Sequence, residues 1–345
     1  MGAERVDETL NRYRPLVDGE ISRLLEGIEV PGLCEIVRHH LGFTDRLEGQ
    51  AIEFGGKRIR AAICLLVCEG AGGETTTAVP AAAAIELLHS FTLLHDDVAD
   101  RDEIRRGRVT VWRRWGMGQA ITAGDAIFAL ANVAIGSLEQ AGSPAVAVCA
   151  AAGELNVAAL VVSEGQHLDI AYERRPDISV DDYLSMIAKK TASLFARAAA
   201  IGAIVGGASK ETRERVRSFG HHLGIAYQIR DDVLGIWGDP VELGKPVGSD
   251  LRRDKRSLPI VYALSSGPEA EREQIAERLR EGIATDEAAE AVARRLEDVG
   301  AREFCERMVE ESSERALAEL ERAGLREGAR ADLRMLTGYL AKRTR

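Results

Sequence analysis

Long proline-free stretches in which apolar residues recur every three or four positions dominate this chain, and that period is the period of the α-helix. Nine prolines punctuate it, Pro15, Pro31, Pro80, Pro144, Pro176, Pro240, Pro246, Pro259 and Pro268. Between them lie segments long enough for helices of several turns, because a proline breaks a helix interior by removing a donor and clashing with the turn before it. Alternating, period-two patterns of the kind strands need are nearly absent. The pattern predicts an all-α fold of roughly ten or more helices, several of them apolar almost all round and therefore buried. No linker-like shift in composition interrupts residues 1–345, so one large single-domain bundle is expected rather than two domains.

Composition excludes several classes of function. A formal net charge of −10 disfavours nucleic acid, which needs a dominant basic surface. Five scattered cysteines, Cys34, Cys64, Cys68, Cys149 and Cys305, are odd in number and do not form a disulfide framework. Cys64 and Cys68 stand one turn apart with no second pair nearby, which makes them core residues rather than zinc ligands. The start of the chain is too polar for a signal peptide, and Val6 stands where a myristoylation signal has Ser or Thr. The most apolar stretches are interrupted by Asp125, by Glu154 with Asn156, and by Arg197, so no clean membrane span is expected and a cytoplasmic protein is.

Within this helical background lie two acidic clusters whose first aspartates are 135 positions apart. The first reads Asp96-Asp97-Val98-Ala99-Asp100; the second reads Gln228-Ile229-Arg230-Asp231-Asp232 and is followed by Lys245, Asp250 and Lys255. Residues four apart stack on one helix face, so Asp96 and Asp100 point the same way with Asp97 on the shoulder. Stacked carboxylates repel, and a solvated face is the ordinary home for them. Here the flanks are apolar, Leu87-Leu88 through Leu93-Leu94 before the first cluster and Leu223 through Tyr227 before the second. Carboxylates in such surroundings are paired or metal-bound. Mg²⁺ held by one or two carboxylates completes its octahedron with water and substrate phosphates, so the spacing points to two metal-loaded helices facing each other across a phosphate-bearing substrate.

Three basic sets fit that reading. Gly55-Gly56-Lys57-Arg58-Ile59-Arg60 puts cations after a glycine pair at the start of an apolar helix, where backbone amides also favour an anion. Arg105-Arg106-Gly107 follows the first acidic cluster and reads by itself as a helix C-cap. Lys189-Lys190-Thr191 is the third, and each set alone is equally compatible with an exposed surface.

In combination these motifs resemble the trans-isoprenyl diphosphate synthases, most of all the short-chain group that makes geranylgeranyl diphosphate. The resemblance runs from about Gly55 to Lys255. It implies a helical bundle around a central cavity, a prenyltransferase, and a homodimer. It also implies metal binding by Asp96, Asp97, Asp100 and Asp231, with about three Mg²⁺ ions when the diphosphate is bound. Lys57, Arg60, His89 and Arg106 would hold isopentenyl diphosphate, and Arg105, Lys190, Lys245 and Lys255 would contact the allylic diphosphate. Gln166 and Asp169 match the family's Gly-Gln-x-x-Asp element, and Thr191 and Gln228 match polar positions lining its reaction site. Asp96, Asp100, Lys190, Asp231 and Lys245 are the expected catalytic set, Asp232 and Asp250 supporting Asp231.

The implied reaction is head-to-tail condensation of isopentenyl diphosphate with an allylic diphosphate through an allylic cation, which requires that water be excluded. Residues 238–249, rich in Gly and Pro, read as a lid over the second motif. Lys342-Arg343-Thr344-Arg345 reads as a frayed tail or part of that closure, the tail being preferred. A growing hydrocarbon tail would run along the first acidic helix past Thr92, Phe91 and Leu88; by the resemblance the bulky Phe91 is a floor of the kind that accompanies a twenty-carbon product, the alternative being that it packs into the core elsewhere, five residues turning it away from the Asp96 face. One departure stands out: the second motif has Gly235 where the family carries a third aspartate. That suggests a weakened metal site in which Gly235→Asp is mild. A terpene cyclase on the same fold and a non-catalytic partner subunit remain the rivals. The basic set for a second diphosphate counts against the first, and the intact first motif against the other.

Overall fold

The computed structural model describes residues 2–43, 56–173, 175, 177–238, 248–252 and 255–343. Its helices are α1 (Gly2–Leu25), α2 (Pro31–Leu41), α3 (Ile59–Ala71), α4 (Thr75–Ala99), α5 (Val111–Trp115), α6 (Met117–Gly136), α7 (Ala145–Tyr172) and α8 (Val180–Ile187). After a π-helical turn (Ala188–Ala192) come α9 (Ser193–Val205), α10 (Lys210–Trp237), α11 (Ser249–Arg252), α12 (Leu258–Ser266), α13 (Glu269–Glu281), α14 (Asp286–Asp298), α15 (Ala301–Arg322) and α16 (Glu327–Lys342). The only strands among the described residues are β1 (Ile104–Arg105) and β2 (Arg108–Val109), paired antiparallel. The fold is all-α, as the apolar period predicts.

Helix ends follow local chemistry. Pro31 opens α2 in the first turn, where its missing donor costs nothing, and Gly42 closes it at φ 83°, sending its N–H back to Arg38 and His39 carbonyls. Ser179 and Asp182 cap α8 reciprocally, each side chain accepting from the other's backbone N–H.

The chain divides into two compact units: residues 1–159 with 197–217 and 323–333, and residues 160–196 with 218–322 and 334–345. In the first, α4 packs along α6, α3 and α1. Close contact with α3 depends on glycine: a Cβ on Gly202 would lie 2.2 Å from the Cys64 carbonyl, and one on Gly206 2.7 Å from that of Cys68. Cys64 and Cys68 are core residues, and burial pushes the Cys68 thiol up to about 12. Glu154, read from the sequence as an interruption, is clamped by Arg197 and by Arg217, whose Nη2 lies 2.6 Å away. In the second unit Tyr183, Ile229, Leu258 and Cys305 belong to one apolar cluster and Leu251, Ile275 and Leu296 to another.

The expectation about membrane spans needs correction. By length and composition α4, α6 and α7 are each apolar enough to cross a bilayer, because one or two charges in a long helix do not cancel so many Ala, Val and Leu residues. Burial separates them: 67% of the apolar stretch of α4 lies inside the protein but only 22% of that of α7. Ile121 and Val133 on α6, and Val146 and Val157 on α7, are exposed.

Candidate active site

The first acidic motif closes α4. Asp96 is half-buried in its last turn, and Asp100, the exposed C-cap residue, sends its N–H to the Asp96 carbonyl at 2.8 Å. Asp97 faces elsewhere: it is almost fully buried, and its Oδ1 accepts from Arg105 Nε. Burial, outweighing Arg105, pushes its carboxyl up to about 6. Asp97, expected beside a metal, is therefore engaged by Arg105.

Arg105-Arg106-Gly107 is not a helix C-cap, since α4 has already ended at Ala99. Arg105 pairs with Arg108 across a two-residue turn in which Arg106 and Gly107 both have positive φ, 51° and 73°. Such a turn matches the twist of paired strands and tolerates a non-glycine residue there only at some cost. Asp102 anchors it, its carbonyl accepting from Thr110 Oγ1 at 2.7 Å and Trp112 Nε1 at 2.8 Å. The hairpin aims its two arginines differently. Arg105 turns to Asp97, while Arg106 lies against Gly56, where a Cβ would come within 2.9 Å of Nη2.

Gly55 lies outside the described residues; Gly56, at φ 76°, leads into half-buried Lys57. Arg58 is internal, its guanidinium 2.9 Å from Asp18 and 3.6 Å from buried Glu86. Glu86 also accepts the Ala61 N–H at 3.0 Å, which fixes the start of α3. Arg60 is half-buried on the first turn of α3. Desolvation, reinforced by Arg60 and Arg106, holds the His89 ring well below its ordinary pKa. His89 is thus a neutral donor at neutral pH, beside two of the cations that the sequence grouped with it.

In the second unit the π-helical turn carries Lys190 and Thr191, and such turns recur at functional sites. Gly165 on α7 lets the turn approach: a Cβ there would stand 2.3 Å from the Lys190 backbone nitrogen. One helical turn further, Asp169 accepts from Lys190 Nζ at 2.5 Å. Gln166, between them, has both ends of its buried amide without a hydrogen-bond partner among the described residues. Thr191 Oγ1 donates to Gln228 at 2.7 Å, and Gln228 Nε2 donates to Asp232 at 3.0 Å. Asp232 is wholly buried and also accepts from Tyr183 OH at 2.5 Å and the Leu258 N–H at 3.2 Å. The sequence had assigned Asp232 to support Asp231 at the metal; the structure corrects this, because three donors hold its carboxylate inward.

Asp231, one position away, is 40% exposed at its side chain and accepts from Arg343. The Arg343 guanidinium also stacks 4.0 Å over the Tyr227 ring, and only 10% of that side chain is exposed. The preferred reading of Arg343 as frayed tail is overturned; nothing local in the sequence marks the contact, which joins residues 112 positions apart. Gly235 lies one turn beyond Asp231, and Asp250 packs on it: a Cβ would stand 2.3 Å from Asp250 Oδ2 and 2.5 Å from its Cγ. A carboxylate already fills the space where a side chain would start, so Gly235→Asp requires Asp250 to move aside. Lys255 Nζ lies 3.8 Å from Asp250, whose charge foremost raises the lysine pKa. Lys245 and most of the proposed lid, residues 239–247, lie outside the described residues.

The tail-facing positions differ in burial. Leu88 is fully enclosed, whereas Phe91 and Thr92 are half-buried and Thr92 Oγ1 donates to the His89 carbonyl at 2.8 Å. Among the described residues no three His, Cys, Asp or Glu side chains converge as a metal site. The donor set still fits Mg²⁺, a hard cation that takes one or two carboxylates and fills its other positions with water and phosphate oxygen. Asp96 with Asp100, and Asp231, are such donors.

The sequence pattern of the polyprenyl synthetase family matches residues 46–296. Two relatives from Mycobacterium tuberculosis H37Rv are similar over most of their length. A geranylgeranyl diphosphate synthase is 40% identical over 312 residues, 90% of this chain and 87% of the relative. A farnesyl diphosphate synthase is 37% identical over 316 residues, 91% and 87% respectively. Among solved structures, a polyprenyl synthetase from Streptomyces coelicolor A3(2) superposes with a TM-score of 0.90 at 36% identity, covering 97% of this chain and 99% of that one. A geranylgeranyl pyrophosphate synthase from Corynebacterium glutamicum, complexed with isoprenyl diphosphate and magnesium, gives 0.82 at 28% identity and 99% of both chains.

Proposed function

The chain belongs to the polyprenyl synthetase family and is a prenyltransferase, and from that premise we propose that it condenses isopentenyl diphosphate head-to-tail with allylic diphosphates, using Mg²⁺ and giving mainly geranylgeranyl diphosphate. The observation that carries the reading is the pairing at the first motif. Asp96 and Asp100 stand one turn apart, while Asp97 is taken up in holding Arg105. Mg²⁺, when bound, supplies charge neutralisation that makes the allylic diphosphate a better leaving group. Asp96, Asp100 and Asp231 are the residues assigned to hold it, and about three ions are proposed by analogy with the family.

The chain's own groups do the rest. Arg105, fixed by Asp97, and Lys190, fixed by Asp169, are assigned to the oxygens on which charge grows as the allylic bond breaks. Lys245 and Lys255 are assigned to the same diphosphate. Lys57, Arg60, His89 and Arg106 are assigned to isopentenyl diphosphate. His89 contributes there as a neutral donor, since burial, reinforced by the arginines beside it, disfavours its protonated form. Thr191 and Gln228, held in one orientation by Asp232, offer oxygen dipoles to an allylic cation.

Phe91 is proposed as the floor under the tail, with Thr92 along the wall and Leu88 behind it. The relative complexed with magnesium supports the use of a divalent metal. The relatives' names include farnesyl, geranylgeranyl and geranylfarnesyl diphosphate synthases, and the product length of this chain is read by mass spectrometry. The exposed apolar residues of α6 and α7 support a homodimer over a membrane anchor, and sedimentation should give twice 37.4 kDa.

The test is to incubate the purified protein with isopentenyl diphosphate and each allylic diphosphate, with and without Mg²⁺, and to weigh the products. Asp96→Ala and Asp100→Ala are each expected to lower turnover by several orders of magnitude. Full activity in excess chelator, or parent-like turnover in either variant, would overturn the assignment.

A further inference from the structure

At its last turns α4 packs against α6 in two ring layers. In the upper layer His95, next to Asp96, lies on Gly124, where a Cβ would meet its Nε2 at 2.2 Å. In the layer one turn below, Phe91 sits 4.7 Å from the His95 ring and 5.3 Å from the ring of Phe128, inclined at 38° to the latter. Phe128 follows Gly124 by one turn, so the helices run antiparallel here and the two aromatic rings meet at the same depth. That depth is roughly 6 Å along α4 from the His95 layer, four residues at the helical rise. Both rings are half-buried, unlike the fully enclosed Leu88.

We propose that Phe128 is a second specificity-determining residue, the backing ring that keeps Phe91 across the path of the hydrocarbon tail and sets product length together with it. This rests on the prenyl-transfer reading. Among the described residues Phe91 meets two rings, His95 and Phe128, and the His95 ring is packed against Gly124. Removing the ring of Phe128 leaves Phe91 room to swing outward from α4, so the floor drops although Phe91 is unchanged. Removing Phe91 instead exposes the face of Phe128, which then stops the tail a little deeper. A Phe→Ala change deletes a six-carbon ring and a C5 unit adds five carbons, so in a close-packed cavity each truncation makes room for about one further unit. No single residue in the sequence marks this role, because Phe128 lies 37 positions from Phe91 on another helix.

The experiment is the product distribution, read by mass spectrometry with isopentenyl diphosphate and farnesyl diphosphate, of the parent, Phe91→Ala, Phe128→Ala, the double variant and Phe128→Trp. Phe128→Ala should lengthen the main product by about one C5 unit, and the double variant should exceed Phe91→Ala. Phe128→Trp, which keeps the layer filled and overpacks it, should shorten the product and covers the case in which the alanine variant fails to fold. The proposal is overturned if Phe128→Ala and Phe128→Trp give the parent's chain lengths. It is overturned equally if the double variant matches Phe91→Ala alone. A parent that forms no prenyl product at all condemns the prenyl-transfer reading instead, a result distinct from either.

Discussion

Replacing Gly235 with aspartate would restore the third carboxylate of the second motif, and the packing of Asp250 makes that substitution costly. A Cβ at 235 would stand 2.3 Å from Asp250 Oδ2, and Cβ atoms essentially never approach a neighbour closer than 3.0 Å, so the carboxylate must retreat by at least 0.7 Å (3.0 − 2.3). Forcing atoms into a filled site costs about 1–3 kcal/mol. The new carboxylate then lies about 4 Å from the old one, and like charges at that distance repel by about 1–4 kcal/mol between bulk water and a partly screened site. Lys255, 3.8 Å from Asp250, absorbs part of the repulsion. In metal-free protein at neutral pH the loss should be about 2–5 kcal/mol, against about 1–3 for Gly235→Ala, which carries the steric part alone. With an unfolding entropy of about 2 cal/mol/K per residue over 345 residues, that is a fall of about 3 to 7 °C in Tm for the aspartate variant. The assay is thermal melting in chelator of both single variants, Asp250→Ala, and Gly235→Asp with Asp250→Ala. The double variant should recover most of the loss, because its two changes are strongly coupled. A Gly235→Asp protein that melts with the parent, or a cycle with no coupling to Asp250, would refute the reasoning.

Asp232, pushed up to about 6 by burial against an ordinary value of 3.8, binds its proton more tightly folded than unfolded. Its charged form therefore weakens the fold: the penalty is absent below about pH 4, grows between about pH 4 and 6, and stays at about 3 kcal/mol above that. Metal-free Asp232→Asn should lose this slope, so its Tm relative to the parent should rise from pH 4 to pH 7; a constant difference would contradict the shift. Gly165→Ala puts a methyl 2.3 Å from the Lys190 backbone nitrogen, which is not a flexible side chain and cannot step aside, so stability should drop by about 1–3 kcal/mol or more and Lys190 should be displaced. Urea titration gives the first, and a crystal structure showing Lys190 still on Asp169 would contradict the second. Arg343→Ala removes the cation on Asp231 and should cost metal-free protein about 1–3 kcal/mol while tightening Mn²⁺ binding measured by calorimetry; weaker Mn²⁺ binding would count against competition at that carboxylate.

Much of the fold was legible because helices declare themselves by period. The apolar run from Leu87 to Leu94, followed by Asp96 and Asp100, located both a helix and the acidic motif that closes it. Asp97 was legible only as lying off the Asp96 face; that it turns to Arg105 depends on a hairpin whose turn uses an arginine at positive φ, a conformation with no sequence signal at that residue. Asp232 and Asp231 look alike in sequence, yet one is wholly buried among three donors and the other is partly exposed under Arg343, a difference set by Tyr183 and Leu258 from distant helices. The roles of Gly165 and Gly235 are invisible for the same reason, since a glycine announces freedom but not the neighbour it makes room for.

The π-helical turn at Ala188–Ala192 widens the helical repeat by one residue, which shifts the angular phase of the residues after it by about 100°. Glycines grip it from two sides. Gly165 meets the Lys190 backbone, while Gly224 would place a Cβ 2.5 Å from Ala192 and Gly220 one 2.5 Å from the Phe195 carbonyl. Relaxing the turn to an ordinary α-helix at unchanged chain length would rotate Ala192 and Phe195 by about 100° away from their glycines and bring other neighbours into gaps that admit none. The wide turn and its extra residue therefore go together: at this chain length the glycine contacts need the turn, and a segment one residue shorter would reach them as plain α-helix.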